Sequence, residues 1–586
     1  MIRLLSALLF YFTLVVAADA QTGSYKTPSQ LNTEINALLP DNNTGLITPL
    51  VTRQMLKDMV ASAGTSPACP VVGDGVADDT AAIQLCEHNR PIGSSLVWPP
   101  GTYKITGQVT AEKAGSWDMQ GATINITSLP GPPVVNQQGG ITVPVSNFYI
   151  NGGNSTLNFI GGAQLSAIFL SGGKYSRLGS DPIFQAYTTS AANIAVGATS
   201  FVAAEGQGTL SPNDWIFVFH LDSGGTIPGT FASNWIKAEA KQVVSVVGTT
   251  VNVSVPFAQP FSNGAMSGGC ADETPPGTSC WPNLWVKLLN PIENVGVNNL
   301  NINILGSVAS IAIDSDIGVI NGVYENNTIN ATAGAGSLSL IATFNHNFQF
   351  LNNVITHEDR VGEISVMHGG RIGGNTFWNK GSGSAPAIYL DDGVFGMRVD
   401  HNQIYGRIGG AVITFQDSFS NVSDHNLVIC GAGSNSGILF FGGDNNVSDS
   451  DTIINCTEAT IITPNTGLFN GTDPTNNNSV VNSVVRNASA SSVHISGGAN
   501  SNNNVIVNLN TDASDGLANC GTLICDSGVG TVTDNNIAGV WTVGPRLTLI
   551  GPDAASILFV AGATKAIRFG AGGTGASIQG IATDQG

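Results

Sequence analysis

The sequence predicts an all-β protein wound as a parallel β-helix, and two observations lead there. The first is composition. With 42% hydrophobic, 10% charged and 72 Gly among 586 residues, the chain is too apolar for disorder. It is rich in Gly, Asn, Ser, Thr, Val and Ile where a long helical protein concentrates Ala, Glu, Lys, Leu and Arg. The second is a repeat. An Asn or Asp followed by an apolar-rich stretch recurs at Asn327, Asn353, Asn375, Asn402, Asn426, Asp451, Asn482 and Asn504. The intervals of 26, 22, 27, 24, 25, 31 and 22 residues fit one coil per repeat, with Asn turning the chain in a left-handed backbone conformation at each corner. Such a core grows along an axis, which reconciles a length of several ordinary domains with one structure.

Charge excludes some partners at once. Lys and Arg number 21 against 40 Asp and Glu, giving −19, and no basic run exists to track phosphates, so nucleic acid is no partner. An acidic surface also repels acidic polysaccharide. A uronate substrate would therefore require a local basic cluster or a bridging cation.

Residues 1–20 read as a secretory signal, with Arg3, the largely apolar Leu4 to Ala17, and Ala18-Asp19-Ala20 as a small-x-small cleavage site. The mature chain then begins at Gln21 and is secreted, outside the cell or on its surface. No later stretch reaches about 18 uninterrupted apolar residues, so no membrane partner is expected after cleavage. Eight cysteines pair most simply in sequence, Cys69 with Cys86, Cys270 with Cys280, Cys430 with Cys456 and Cys520 with Cys525. Zinc is disfavoured because no CxxC pair or suitably spaced His accompanies them.

Residues 21–66 form an N-terminal helical segment. Thr27-Pro28-Ser29 precedes Leu31, Ile35, Leu38 and Leu39, and Thr48-Pro49 precedes Met55 and Met59, both at helical spacing behind capping residues. Two short helices there would cover the open end of a β-structure. Residues 67–180 are the β-helix entry. Asp79 or Thr80 caps a helix carrying Ile83, and the turn Pro99-Pro100-Gly101 leads into a strand through Ile105.

That entry resembles a known family. Gly73-Asp74-Gly75-Val76-Ala77-Asp78-Asp79-Thr80-Ala81-Ala82-Ile83-Gln84 and Val97-Trp98-Pro99-Pro100-Gly101-Thr102-Tyr103-Lys104-Ile105 match the paired entry motifs of the rhamnogalacturonase and epimerase-like pectate lyase superfamily, which also occurs in phage tailspikes. The resemblance implies a right-handed parallel β-helix of the pectin lyase-like type, with polysaccharide as the partner. It also implies that Asp74, Asp78 and Asp79 build the cap and take no part in chemistry.

Between 181 and 290 the Asn period disappears. Trp215 to Phe219 and Val243 to Val253 read as strands, the latter broken by a Gly248-Thr249 turn, which makes this an inserted β-subdomain. Its Trp235, Trp281 and Trp285 are placed either to stack on sugar rings or to pack a local core. Coils resume over 291–530, where Cys430 and Cys456 lie one coil apart at the ~4.8 Å strand spacing.

Charge gathers within those coils. Residues 351–407 carry eleven charged side chains in 57 residues, nearly twice the chain average. Counting 14 to 16 residues on from each coil's Asn aligns Asp314, His368, Asp391 and Gln416 in one column along the axis, with Asp392 and Asp417 beside it. Carboxylates on neighbouring coils suit acid–base work, because close like charges hold a proton on one while the other stays ionised. Asp391, Asp392, Asp417 and His368 are therefore the candidate catalytic residues. The arrangement is similar to that of polygalacturonases, except that His368 precedes the Asp pair. Arg371, Arg398 and Arg407, with Asp314 and Trp235, are the candidate substrate contacts. The same residues allow elimination, with Arg neutralising a uronate carboxylate and Asp391, Asp392 and Asp417 holding Ca²⁺.

Residues 531–586 form a Gly-rich β segment, Ile567 to Gly580, similar to stretches where tailspike strands intertwine, which makes a homotrimer a candidate assembly. Three functions follow: a lyase or epimerase acting on a uronate-containing glycan with Arg and Ca²⁺, a hydrolase using the three Asp residues, or a non-catalytic glycan-binding adhesin or tailspike-like receptor-binding protein.

Overall fold

The structure is a computed structural model. It describes residues 70–511 apart from 128–138, 161–164, 173–183, 189–192, 204–209, 222–234, 262–282, 289, 307–309, 317, 332–337, 358–361, 381–385, 407–409, 432–435, 466–474, 497–499 and 508, and beyond these the short strands 524–526, 532–534, 541–543, 548–550, 567–569 and 577–579. The helices expected over 27–62 and the side chains of Cys69, Cys270, Cys280, Cys520 and Arg407 lie outside the described residues, as do the side chains of Trp235 and Cys525.

The chain winds a right-handed parallel β-helix with three faces. In the coil that starts at Leu338, the strand Leu338–Thr343 belongs to face A, His346–Leu351 to face B and Val354–His357 to face C, before the next face A strand, Gly362–Ser365. Each strand pairs in parallel with its counterpart one coil on, as in Ile341↔Glu363, Gln349↔Arg371 and Ile355↔Phe377. Side chains alternate, and the inward set stacks into continuous columns such as Leu390, Phe415 and Phe440 on face A. Each such fully buried side chain contributes about 1.5–3 kcal/mol of burial. Beyond 530 the described strands continue the parallel pairing, Trp541↔Ile567 and Thr548↔Ser577.

The Asn repeat is a hydrogen-bonded ladder running through the interior. The Nδ2 of Asn327, Asn353, Asn375 and Asn402 each donates to the Oδ1 of the next Asn, at 2.9–3.0 Å, and Asn426 donates to Asp451. These side chains are buried and sit one residue beyond the left-handed corner. The positive φ expected at the Asn belongs to Asn326, Asn352, Gly374, His401, His425 and Ser450. Asn482 is likewise a corner residue, with φ 53°. Asn504 belongs to a second ladder, with Asn421, Asn446 and Asn478.

At the entry, α1 (Thr80–Asn89) lays Ile83 against the first coils. Asp79 occupies the N-cap position, but its carboxylate accepts from the Val72 N–H at 2.7 Å and so ties down the incoming strand. Asp74 accepts from the Val76 and Ala77 N–H groups, and Asp78 from the Thr80 and Thr106 hydroxyls. All three acids are structural. Cys430 and Cys456 form a disulfide with Cα atoms 5.0 Å apart, and Cys86 is disulfide-bonded.

Among the described residues the stack is interrupted between Leu170 and Ile292. The chain leaves it after the face A strand Leu165–Leu170 and returns at Ile292–Ile304, and between them residues 184–288 contribute a six-stranded antiparallel sheet with its own core of Ile216, Val218, Val251, Phe257 and Phe261. This sheet lies on the corner between faces A and B. Trp215 packs on His346 with ring centroids 5.1 Å apart, Phe217 packs on Phe344 at 5.5 Å, and the Ala240 N–H donates to His368 Nδ1 at 3.0 Å.

Candidate active site

The corner between faces A and B supplies the site. After five successive face A strands one residue turns the chain with positive φ: Phe344 (54°), Val366 (48°), Asp392 (47°), Asp417 (42°) and Gly442 (74°). Val and Phe are costly in this conformation, and the stacked coils impose it: Val366 N–H donates to the Asp392 carbonyl at 2.8 Å, and Gly393 N–H to that of Asp417 at 2.8 Å. The backbone thus sets Asp392 and Asp417 at equivalent positions one coil apart.

Asp391 closes the strand Ile388–Asp391. Because Leu390 points into the core, Asp391 points out, in register with Ser365. Single oxygens of Asp391, Asp392 and Asp417 lie within 4.8 Å of one another. Asp391 and Asp417 are buried and Asp392 is partly exposed as a residue. Oδ1 of Asp391 and Oδ1 of Asp392 are buried without a hydrogen-bond partner.

Two neighbours make the three acids inequivalent. Asn465 Nδ2 donates to Asp417 Oδ2 at 2.8 Å, which favours the ionised form of Asp417. Burial and the Glu363 charge push the Asp391 carboxyl up to about 7. Burial and the charges of Asp391, Asp417 and Glu363 hold that of Asp392 well above the usual carboxylate range. Tyr389 donates to Gln416 Oε1 at 2.9 Å, and burial beside Asp391 keeps its phenol protonated. At neutral pH the cluster therefore holds both ionised and protonated carboxyls, which is the requirement for paired general acid and general base. One hard cation could also take an oxygen from each Asp.

Of the nine candidate residues, the three acids Asp391, Asp392 and Asp417 come together here. His368 does not join them. It starts the face B strand His368–Gly373, and its ring lies between those of His346 and Phe395, at 5.1 and 5.2 Å, beneath the inserted sheet. Its Nδ1 accepts the Ala240 N–H, and burial drives its pKa down to about 3. Counting from Asn353 overshot because the segment joining faces C and A varies in length: the true counterpart of Asp391 is Ser365. Asp314 is a correction of the same origin. It pairs with Ile341, two residues before the strand end, and is buried accepting from Ser166 Oγ at 2.8 Å.

Arg371 and Arg398 also belong elsewhere. They are adjacent on face B, separated from Asp391 by the corner, and both are committed to ion pairs. Arg371 binds Asp400 through two bonds of 2.6 and 2.7 Å, and Arg398 pairs with Asp424 and Asp400. Trp235 lies in the inserted strand Trp235–Val247, opposite Leu221. Glu363 and Asn465 are the site residues that sequence reasoning did not single out. Glu363 was legible as a charge in the dense region. Asn465, 48 residues from its partner Asp417, carries no local signal.

No protein-family model and no curated protein matches the sequence. Among solved structures, the chain is similar to the tailspike protein gp49 from Pseudomonas phage LKA1, at 13% identity over 88% of this chain and 84% of that one, with a TM-score of 0.45. It is also similar to the A-module of the Azotobacter vinelandii mannuronan C-5 epimerase AlgE6, at 12% over 87% and 98% with a TM-score of 0.35. A third is the catalytic unit of a GH87 α-1,3-glucanase from Streptomyces thermodiastaticus, at 11% over 89% and 71% with a TM-score of 0.33.

Proposed function

We propose that this chain is a secreted glycoside hydrolase that cleaves a polysaccharide at the corner between faces A and B. The observation that supports it is the trio of Asp391, Asp392 and Asp417, with one oxygen of each within 4.8 Å of the others, and with Oδ1 of Asp391 and Oδ1 of Asp392 buried without a hydrogen-bond partner. Asp392, partly exposed and proton-holding, donates its proton to the glycosidic oxygen as the bond to the anomeric carbon breaks. Asp417, whose carboxylate accepts from Asn465, takes a proton from the water whose oxygen forms the new bond to the anomeric carbon. The charge of Asp391 helps keep the proton on Asp392.

Hydrolysis is favoured over elimination because the main electrostatic influences on Asp391 and Asp392 are all carboxylates, while Arg371 and Arg398 are ion-paired on face B. Without a cation bridging the trio, a uronate carboxylate at the reacting sugar would meet repulsion from the ionised members of the cluster. The sugar at the point of cleavage is accordingly a neutral one.

The test is a time course on neutral and acidic polysaccharides, following reducing ends and the ultraviolet absorbance of unsaturated uronate together, with and without chelator. New reducing ends without absorbance, insensitive to chelation and lost in Asp392→Asn, are expected. Rising absorbance would replace the reading with elimination, and binding without either product would replace it with a receptor-binding role.

A further inference from the structure

Face C carries a feature with no part in the acid cluster. Its outward column reads Asn330, Thr356, Trp378, Tyr405 and Ile429 in direct register. Trp378 and Tyr405 are stacked, with ring centroids 4.4 Å apart and planes 14° from parallel. In-register parallel strands place equivalent side chains one above the next along the axis, so Tyr405 covers one face of Trp378. The opposite face looks over Thr356, too short to cover it, and Trp378 is 45% exposed. Val354, at the foot of the same coil's strand, is 42% exposed. Tyr405 in turn is fixed by its hydroxyl donating to Gln403 Oε1 at 2.8 Å, which gives the platform a rigid back.

We infer that this shelf is a sugar-binding subsite, separate from the site of cleavage, in which one pyranose ring of a polysaccharide lies against the open face of Trp378 over Thr356. The dimensions suit it: the step from Trp378 across Thr356 to Asn330 spans two strand spacings, about 10 Å, enough for one ring stacked flat. The chemistry suits it as well. An aromatic face takes the apolar side of a sugar ring, while the half-exposed Thr356, in register beside Trp378, offers a hydroxyl to it. A second copy of this chain is a poorer occupant, because two aromatic side chains present at most ~150–250 Å² each against the ~800 Å² per partner of a stable interface.

The test uses the full chain carrying Asp392→Asn, so that no polysaccharide is consumed. Retardation is measured in native gels containing hydroxyethyl cellulose, galactan, xylan or polygalacturonate, and compared after adding Trp378→Ala or, separately, Thr356→Trp, which fills the shelf by extending the stack. At least one neutral polysaccharide should retard the parent, and both variants should weaken that binding about 2- to 10-fold with unchanged circular dichroism. Equal retardation of parent and both variants, or no retardation of the parent by any of the four, would overturn the subsite. So would a drop in sedimentation coefficient in Trp378→Ala with binding intact, which would assign the face to self-association.

Discussion

Asp392 and Asp417 occupy the same left-handed corner on successive coils, with φ of 47° and 42°, and are joined through Gly393 N–H to the Asp417 carbonyl at 2.8 Å. A corner that crowds buried carboxyl groups together is poorly explained by stability and well explained by chemistry. Asn tolerates the left-handed conformation and carries no charge. Asp392→Asn is therefore expected to lower cleavage about 100- to 10,000-fold while raising the melting temperature at neutral pH. Reducing-end assays and calorimetry on one preparation check both, and a less stable variant would argue against repulsion at the corner.

The same cluster sets a pH dependence of stability. Asp391 and Asp392 have folded-state pKa values above the unfolded value near 4, Asp391 at about 7. The folded state thus binds more protons than the unfolded state between pH 4 and 7, and this contribution to stability falls as pH rises through that window. Asp391→Asn should flatten the fall. The check is the slope of unfolding free energy against pH for parent and variant, where identical slopes would refute the assignment.

The Asn ladder should dominate the stability of the coils. Asn402 accepts from the Asn375 N–H and Nδ2 and donates to the Ile372 carbonyl and Asn426 Oδ1, all within 3.0 Å. Asn402→Ala leaves several buried groups unpaired at once, at a cost of about 2–4 kcal/mol. Equilibrium unfolding in guanidinium measures it, and a loss below about 0.5 kcal/mol would show that the groups find other partners.

Where the ladder accepts a substitute it leaves a signature. Asp451 takes the place of Asn, accepting from Asn426 N–H, Asn426 Nδ2 and Ser448 Oγ at 2.7–2.9 Å, and burial raises its pKa to about 6. This contribution also declines as pH rises from about 4 to 6. Asp451→Asn is expected to stabilise the chain by about 1–3 kcal/mol at pH 8 and to change little at pH 4. Equal gains at both pH values would point to packing instead of charge.

The ladder was legible in the sequence because a hydrogen-bonded column needs the same side chain once per coil, which prints a period. The entry cap was legible because Asp74, Asp78 and Asp79 each satisfy backbone or hydroxyl donors nearby in the chain or one turn of the stack away. The acid trio was found because two of its members are adjacent in sequence and the third is one coil on. Asp314 and His368 were misplaced for a physical reason: the segments between faces C and A differ in length from coil to coil while the strands they join stay in register, so residue counts drift. No single-chain count could place Asn465, whose contact with Asp417 is made across coils.

His368 offers the sharpest separation of structure from chemistry. Its imidazole is neutral because burial beside His346 and Lys241 depresses the pKa to about 3, and its Nδ1 is occupied by the inserted strand's Ala240 N–H. An unfolded His protonates near 6.5, so between pH 6.5 and 3 the unfolded state binds the extra proton and stability is lost as pH falls. His368→Gln keeps an acceptor for Ala240 and removes the titration. It is expected to reduce the acid-side loss of stability while leaving the shape of the pH–rate profile unchanged. Thermal scans at pH 4 and 7, paired with cleavage rates over the same range, decide it. Loss of the profile's alkaline or acid limb would return His368 to the catalytic machinery, whereas an unchanged profile with improved acid stability fixes it as the residue that seats the inserted sheet on the β-helix.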